Sequence, residues 1–345
     1  MVQNKEQTAI DNLIVIGASA GGVEALVYLV KQLPTDLNAA VIIVLHVSSE
    51  SPCILHHILN GAGKLPAFAA EDGQAIKTGQ IYVARPDYHL LVKSGYLQLT
   101  RGPRENHHRP AIDPLFRTAA RAYGERVIAV ILTGMLDDGT AGLMAVKMRD
   151  GVAIVQDPDD ALYSGMPKSA IENVEDIDYI LPLSEIPSVL VTLANTPMAT
   201  QAEKPVPSQM EYESDMAQLN TEILENGTLP PGKPSTFTCP DCGGTLWEIE
   251  EGNILRFRCH VGHAFGAKTL QAMQSEDVEE ALWSAIRALQ EKAKLSERMA
   301  SRMRDRNLLS VAEQLEQEAQ AAHQRSVIIQ QLLETGNAIT QETWE

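Results

Sequence analysis

Four short runs of apolar residues divide the first half of this chain, and a helical pattern follows each of them. The runs occupy residues 13–16, 40–46, 127–133 and 152–156, and the helical patterns occupy about 22–33, 53–60, 113–124 and 140–149. Nearly all residues of the runs are β-branched or leucine, which is typical of strands that are buried on both faces of a parallel sheet. The alternation predicts an α/β fold with a doubly wound, mostly parallel sheet.

Two segments depart from this alternation. Two strand-like runs flank Ser94 and Gly95, which predicts an antiparallel hairpin insertion over 88–100. Residues 196–235 are rich in Pro, Ser and Thr and therefore predict a linker, with a short helix near 211–225.

The last third of the chain combines a cysteine cluster with a long helical pattern. Residues 275–335 contain no proline, and the break at 304–307 indicates two antiparallel helices. The expected apolar stripes consist of Val278, Leu282, Ile286 and Leu289 on one helix and Leu308, Val311, Leu315, Ala319 and Ala322 on the other. We therefore divide the chain into an α/β domain (1–195), a linker (196–235), a small Cys/His module (236–270) and a C-terminal helical hairpin (271–345).

Charge and cysteine usage exclude several classes of protein. The net charge of −17 argues against nucleic-acid binding, which requires a basic surface. The chain has no run of about 18 apolar residues that would span a membrane, and its N-terminus lacks an apolar secretory core. Three of the four cysteines fall within 21 residues, which favours metal binding over disulfides in a cytosolic chain. We expect a cytoplasmic protein.

The first strand-like run leads into a turn rich in glycine and small residues. Gly17-Ala18-Ser19-Ala20-Gly21 matches G-x-S-x-G, in which a tight turn between strand and helix exposes a serine nucleophile. A dinucleotide-binding turn would carry glycine where this chain has Ser19, and an acidic residue where the second strand ends in His46. Both differences count against NAD binding. A plain turn without chemistry remains the alternative for the pentapeptide alone.

Polar groups also follow two other buried strands. His46 comes at the end of the second run, and Asp137 and Asp138 come shortly after the run at 127–133. Because the carboxyl ends of parallel strands meet at one edge of the sheet, serine, imidazole and carboxylate are expected to lie close together there. Either aspartate is a candidate to orient the imidazole, and helix capping is the alternative role for both.

Five motifs in series resemble the catalytic domain of the chemotaxis protein-glutamate methylesterases, the CheB family. They are GASAGG, the strand ending in LH, HRPAIDPLF (108–116), LTGMLDDGTAG (132–142) and GMPKSAI (165–171). The resemblance covers residues 12–195 and implies hydrolysis of glutamate methyl esters on chemoreceptors with release of methanol, and deamidation of receptor glutamines. By position it implies Ser19 as nucleophile, His46 as base, Asp138 as orienting carboxylate and the Met135 amide as an oxyanion donor. It implies no cofactor for catalysis.

The chain departs from the family pattern at several positions. Ala20 stands where the family usually has Thr, Leu136 where it has Gly, and Val47-Ser48 where many members have Met-Pro. About 11 residues precede the first strand, so we expect no N-terminal receiver domain. The regulation and the target protein are therefore not implied by the resemblance.

Several charged residues and histidines lie in or near the motif at 108–116, and others follow the second strand. Arg109, Asp113 and Arg117 either line the substrate groove or belong to a helix N-terminus, and we favour the helix, with Asp113 as its cap and Pro114 in its first turn. His56, His57, His107 and His108 are interpreted as solvated side chains.

The cysteine cluster has the spacing of a metal site. Cys239 and Cys242 form a C-x₂-C pair, and Cys259 is followed by His260 and His263. Structural zinc takes four soft or imidazole ligands in tetrahedral geometry. We favour Cys₃His with His263, because His260 is adjacent to Cys259 and is harder to aim at the same ion. Reduced cysteines without metal are the alternative.

Three functions are compatible with these features. The first is a serine hydrolase that demethylates chemoreceptors or receptor-like proteins, with a methyltransferase or another signalling protein as a further partner. The second is a non-catalytic adaptor, in which a degenerate esterase domain carries a zinc-binding interaction module. The third, an NAD-linked oxidoreductase, is disfavoured by the turn at Ser19.

Overall fold

A computed structural model describes residues 12–196, 204–219 and 230–342 of the chain. The chain forms two compact units, Met1–Leu270 and Gln271–Glu345. Within the described ranges, no helix is both long enough and apolar enough to cross a lipid bilayer.

A seven-stranded parallel sheet forms the centre of the first unit. The strands of the α/β region are β1 (Leu13–Ala18), β2 (Ala40–Leu45), β3 (Ala67–Ala69), β4 (Ile81–Val83), β5 (His89–Lys93), β6 (Tyr96–Thr100), β7 (Val127–Ile131), β8 (Val152–Gln156) and β9 (Tyr179–Leu181). The sheet has the order β3-β4-β2-β1-β7-β8-β9, and its neighbouring strands run parallel. This confirms the predicted mostly parallel α/β sheet. The edge strands β3 and β9 were not predicted, since each has only three residues and is partly exposed.

Helices cover both faces of this sheet. They are α1 (Gly22–Gln32), α2 (Leu55–Ala62), α3 (Ile112–Tyr123), α4 (Thr140–Met148), α5 (Gly165–Asn173) and α6 (Ile186–Ala194). Successive side chains of β1 point to opposite faces, so Leu13 and Val15 pack with α3 and α4, whereas Ile14 and Ile16 pack with α1 and α6. Burying each such side chain contributes about 1.5–3 kcal/mol. The two cores fix β1 between β2 and β7, which places the ends of these three strands side by side.

The predicted hairpin insertion is confirmed. Strands β5 and β6 pair antiparallel, with Lys93 opposite Tyr96. Gly95 lies in the turn between them with φ 84°, a left-handed conformation that glycine adopts without steric cost.

Part of the segment predicted as a linker forms a helix, α7 (Ser208–Ala217). It buries Met210 and Met216 and packs against α3. The short helix was predicted near 211–225, and residues 220–225 lie outside the described residues. The proline and serine content of the surrounding sequence obscured the few apolar positions through which this helix packs.

The Cys/His module is a small antiparallel sheet within the first unit. Its strands are β10 (Lys233–Thr238), β11 (Thr245–Glu251), β12 (Ile254–Cys259) and β13 (Ala264–Gly266), paired in sequence order. The turn between β10 and β11 carries Cys239 and Cys242, and the turn between β12 and β13 carries His263. Two adjacent turns of one sheet and Cys259, the last residue of β12, thus present the predicted metal ligands.

Two long helices account for the second unit, as predicted. They are α8 (Ala267–Asp305), which begins in the first unit, and α9 (Leu309–Glu342). Buried residues recur every seven positions on each helix. They are Ile286, Ala293 and Ala300 on α8, and Ala312, Ala319, Ser326 and Leu333 on α9. This heptad repeat is the pattern of a coiled-coil seam. Val278, Leu308 and Val311, which the sequence placed in the stripes, are exposed instead, and Leu308 precedes α9.

Candidate active site

Ser19 lies directly beyond the carboxyl end of β1. Its backbone N–H donates to the carbonyl of Thr133 (3.0 Å), which ties the turn to the segment that follows β7. Gly21 caps α1 with φ 73°. A Cβ on Gly134 would lie 2.9 Å from the Cβ of Ser19, so a residue without a side chain is required for this close approach. The local sequence thereby holds the serine hydroxyl at the edge of the sheet.

His46 contacts Ser19 on one side and Asp138 on the other. Its Nδ1 is 3.1 Å from the Ser19 Oγ, and its Nε2 is 2.6 Å from the Asp138 Oδ2. A carboxylate only accepts hydrogen bonds, so Nε2 carries the proton and Nδ1 is free to accept the serine hydroxyl. The three side chains that follow β1, β2 and β7 thus form one hydrogen-bonded chain.

Asp138 is surrounded by donors. Its Oδ1 accepts from Asn106 Nδ2 (2.8 Å), Asp113 N (3.2 Å) and Gly139 N (2.9 Å), and its Oδ2 accepts from Ile112 N (2.7 Å) besides His46. The N-terminus of α3 therefore points at this carboxylate and favours its charge. Burial acts to raise the pKa of Asp138, but the hydrogen bond and charge of His46 and the Ile112 amide hold that pKa below its ordinary value. Asp138 is ionised at neutral pH.

Asp137 has a different role from its neighbour. Its Oδ2 accepts from the backbone N–H of Lys268 (3.0 Å), and its Oδ1 accepts from the hydroxyl of Thr269. Burial is the main cause of a raised pKa at Asp137, in contrast to Asp138. Of the two aspartates that the sequence left open, Asp138 contacts the imidazole and Asp137 caps the start of α8.

His108 is a site residue that sequence reasoning missed. Its ring stacks on that of His46, with centroids 3.7 Å apart and planes at 17°. Burial, with the neighbouring His46 as the next cause, lowers the pKa of His108 to about 3, so this ring is neutral. The interpretation of His108 as solvated is wrong, because its half-buried ring is stacked on that of His46, a contact that the flanking charged residues in the sequence gave no sign of.

Arg109, Asp113 and Arg117 have structural contacts. Arg109 Nε donates to Asp87 Oδ1 (2.9 Å). Asp113 was predicted to cap α3, and this prediction is wrong. Ala111 precedes that helix, and no side chain caps it. The Asp113 Oδ1 instead accepts from Gly142 N of α4 (2.6 Å), and burial together with the charge of Asp138 raises the pKa of Asp113 well above its ordinary value.

Arg117 belongs to a buried network of charges. Its Nη2 donates to Glu105 Oε1 (2.7 Å), which also lies 3.2 Å from Arg258 Nη2 on β12. Glu213 of α7 accepts from Arg256 Nη1 (2.9 Å). Removing one partner of such a network leaves an uncompensated buried charge, which typically costs 3–5 kcal/mol. The network therefore fastens α3, α7 and the Cys/His module into one unit.

Met135 lies in the segment between β7 and α4, and its side chain is exposed. The neighbouring Gly134 donates its N–H to the carbonyl of Tyr163 (2.9 Å), and Leu136 has φ 63°. These contacts give the segment a defined path beside Ser19.

Three cysteines and one histidine of the module lie together. The Sγ atoms of Cys242 and Cys259 are 3.7 Å apart, and Cys259 Sγ is 3.6 Å from His263 Nδ1. The ligand atoms of Cys239, Cys242, Cys259 and His263 all lie within 4.8 Å of one another. A tetrahedron with metal–sulfur bonds of about 2.3 Å has edges of about 3.7 Å, so these residues fit a metal ion. His260 is exposed and is not part of the cluster.

Comparison with known proteins identifies the α/β region. A sequence model described as CheB methylesterase matches residues 14–190. A Leptospira interrogans relative, assigned by name to the protein-glutamate methylesterases/protein-glutamine glutaminases, is 41% identical over 181 residues, which are 52% of this chain and 93% of that protein. A Pyrococcus horikoshii protein of the same name is 35% identical, over 52% of this chain and 49% of its own length.

A solved structure agrees with this assignment. The crystal structure of the Thermotoga maritima CheB methylesterase catalytic domain matches with a TM-score of 0.50 and 37% identity. The match covers 98% of that domain and 53% of this chain, so the remainder of the chain is a C-terminal extension. The chain belongs to the CheB methylesterase family.

Proposed function

We propose that this protein is a serine hydrolase that demethylates glutamate methyl esters on chemoreceptors or receptor-like proteins and releases methanol. The observation that carries the proposal is the hydrogen-bonded chain Ser19–His46–Asp138 within a domain of the CheB methylesterase family. Relatives whose names include protein-glutamine glutaminase support deamidation of glutamines as a second reaction of the same site.

The reaction begins when the Ser19 Oγ attacks the ester carbonyl. His46 takes the hydroxyl proton at Nδ1, and the charge of Asp138 stabilises the imidazolium that forms. The proton then passes from Nδ1 to the leaving methanol, and an acyl-enzyme remains on Ser19. Water, activated by the same imidazole, releases the glutamate carboxylate.

The backbone amide of Met135 is our candidate for stabilising the oxyanion. A preorganised amide of this kind contributes about 3–4 kcal/mol to the transition state in comparable hydrolases. The close approach of Gly134 to Ser19 supports this role, because it brings the segment after β7 to the attacking oxygen.

A catalytic role explains the site better than the adaptor alternative. An adaptor has no need for an ionised, fully buried carboxylate aligned with an imidazole and a partly exposed serine. We propose a cytoplasmic location. A methyltransferase that forms the same esters is a further candidate partner.

Methanol release from a methylated receptor fragment tests the function. We expect the full chain to release labelled methanol from a receptor fragment that carries labelled methyl esters. Pretreatment with a fluorophosphonate, which reacts with activated serines, should abolish that release. Absence of release from receptor fragments that another methylesterase demethylates would contradict the proposed reaction.

We also propose that Cys239, Cys242, Cys259 and His263 hold a structural zinc ion. The donor set and its tetrahedral spacing support zinc, and four protein ligands leave no open position for a substrate. The ion would lock the two turns of the module together. It supplies no step of the ester hydrolysis.

Metal analysis of freshly purified protein is expected to give one zinc ion per chain. Cys259→Ser should lose the ion, because it removes a ligand whose Sγ lies close to both the Cys242 Sγ and the His263 Nδ1. Cys53→Ser is the matched control and should keep it, since Cys53 lies outside the cluster. Equal zinc content in both variants, or none in the wild type, would rule out this site.

A further inference from the structure

The four residues Glu105–His108 form a tight turn between the α/β region and the Cys/His module. Glu105 and His108 exchange backbone hydrogen bonds of 3.3 and 2.9 Å. Asn106 and His107, between them, have φ of 49° and 64°. Two consecutive left-handed residues are the geometry of a two-residue hairpin turn, which asparagine tolerates well. Side chains on such a turn point in fixed directions.

One side of this turn is bonded to the module. The Asn106 N–H donates to the carbonyl of Ala264 (2.7 Å), and the Gly266 N–H donates to the Asn106 Oδ1 (2.8 Å). His107 Nδ1 lies 2.9 Å from Asp241 Oδ1, in the turn between Cys239 and Cys242. The module therefore holds both the backbone and the side chain of Asn106.

The other side of the turn faces the catalytic groups. The Asn106 Nδ2 donates to Asp138 Oδ1 (2.8 Å) and to Asp113 Oδ2 (2.9 Å). Because the Gly266 N–H requires an acceptor, it fixes which end of the amide is oxygen and turns the NH₂ group toward the two carboxylates. Asn106 is buried, so solvent does not replace these partners.

We propose that Asn106 is a positioning residue for Asp138, and that the C-terminal Cys/His module sets its orientation and so supports catalysis. This inference rests on the proposed serine-hydrolase function. The module acts through Asn106 rather than through a contact with the ester. The C-terminal extension thereby helps to align Ser19, His46 and Asp138.

Asn106→Gly and Asn106→Asp test the positioning role in the full chain. Glycine removes the amide at a residue whose φ of 49° it adopts freely, and aspartate keeps the shape but loses the donor. We expect kcat on p-nitrophenyl acetate to fall by about 10–100-fold with little change in KM, the size of loss seen when the groups that orient the ligands of a catalytic metal are removed. The proton NMR resonance of the His46 Nε2–H, which reports its bond to Asp138, should also move.

Gly266→Ala tests whether the module sets the orientation of Asn106. A Cβ at this position would lie 2.1 Å from the Asp137 Oδ2, so β13 and the Asp137 carboxylate must move apart, and we expect this separation to displace the N–H that holds Asn106. The same resonance should move although Asn106 and Asp138 are unchanged. Asn253→Ala is the control, because among the described residues the side chain of this exposed module residue hydrogen-bonds to Glu175, at 3.5 Å, and not to Asn106 or Asp138. It should leave the resonance and kcat unchanged.

The outcomes separate this inference from the proposed function. A wild-type resonance and kcat in both Asn106 variants would overturn the positioning role, and an unmoved resonance in Gly266→Ala would overturn the role of the module. The resonance does not depend on the identity of the ester. If it moves as expected while the wild type releases no methanol from methylated receptors, the proposed substrate is wrong and the positioning stands.

Discussion

Ser19→Ala is expected to lower kcat for methyl-ester hydrolysis by about 10⁶-fold, as loss of the nucleophile does in a comparable triad hydrolase. The proposed mechanism forms the acyl-enzyme on this hydroxyl, and the His46 Nδ1 that would take its proton lies 3.1 Å away. Methanol release from methylated receptor fragments measures the loss. A fluorophosphonate should label the peptide that contains Ser19 in the wild type and leave the variant unlabelled.

The fold should survive this change. Ser19 is partly exposed, and its side chain contacts His46 rather than the core. Ser188→Ala is the matched control, because Ser188 is exposed on α6 and its hydroxyl donates only to the carbonyl of Glu185. Wild-type rates in Ser19→Ala, with an unchanged melting temperature, would remove the proposed nucleophile.

The convergence of Ser19, His46 and Asp138 was predictable from the sequence, because it follows from the order of buried strands. Each residue comes after a strand that is apolar throughout, and parallel strands bring their carboxyl ends to one edge. The pattern could not choose between Asp137 and Asp138. That choice depends on α8, whose first turn takes Asp137 as a cap from more than 130 positions away in the sequence.

The packing of the extension against the α/β region was not predictable. Arg256 and Arg258 lie on one strand and Glu213 on a short helix, and charged residues at such positions usually face solvent. They are buried here only because Glu105 and Arg117 complete the network from the other side. Long-range pairing of this kind leaves no periodic signal in the sequence.

The same reasoning applies to Asn106 and His108. Both lie in a polar stretch, ENHHRP, which has no apolar pattern and predicts an exposed loop. The burial of Asn106 and the partial burial of His108 follow from the turn at Glu105–His108 and from its contacts with β13 and the imidazole of His46. The family resemblance covers this stretch, but it could not predict contacts with the Cys/His module, because the module lies in the C-terminal extension outside the resemblance.

Asp138→Asn is expected to lower kcat by about 10⁴-fold, as the corresponding change does in another serine hydrolase. An amide nitrogen in place of Oδ2 would face the N–H groups of Ile112 and His46, which are both donors. The imidazole would then shift its proton to Nδ1, where it can no longer accept the hydroxyl proton of Ser19. Asp137→Asn is the isosteric control, and its effect on kcat should be much smaller because Asp137 contacts α8 instead of the imidazole.

The free energy of unfolding should depend on pH because the Asp138 carboxylate is charged in the folded chain. The pKa of Asp138 is lower in the folded chain than in the unfolded chain, where an aspartate titrates near about 3.9. The ionised carboxylate therefore stabilises the fold above that pH, and the contribution fades as the pH falls toward the folded value. The free energy of unfolding of the wild type should exceed that of Asp138→Asn at neutral pH, and the difference should shrink on acidification below about pH 4. A difference that does not change with pH would contradict this prediction. It would mean that the negative charge of Asp138 adds nothing to the free energy of unfolding.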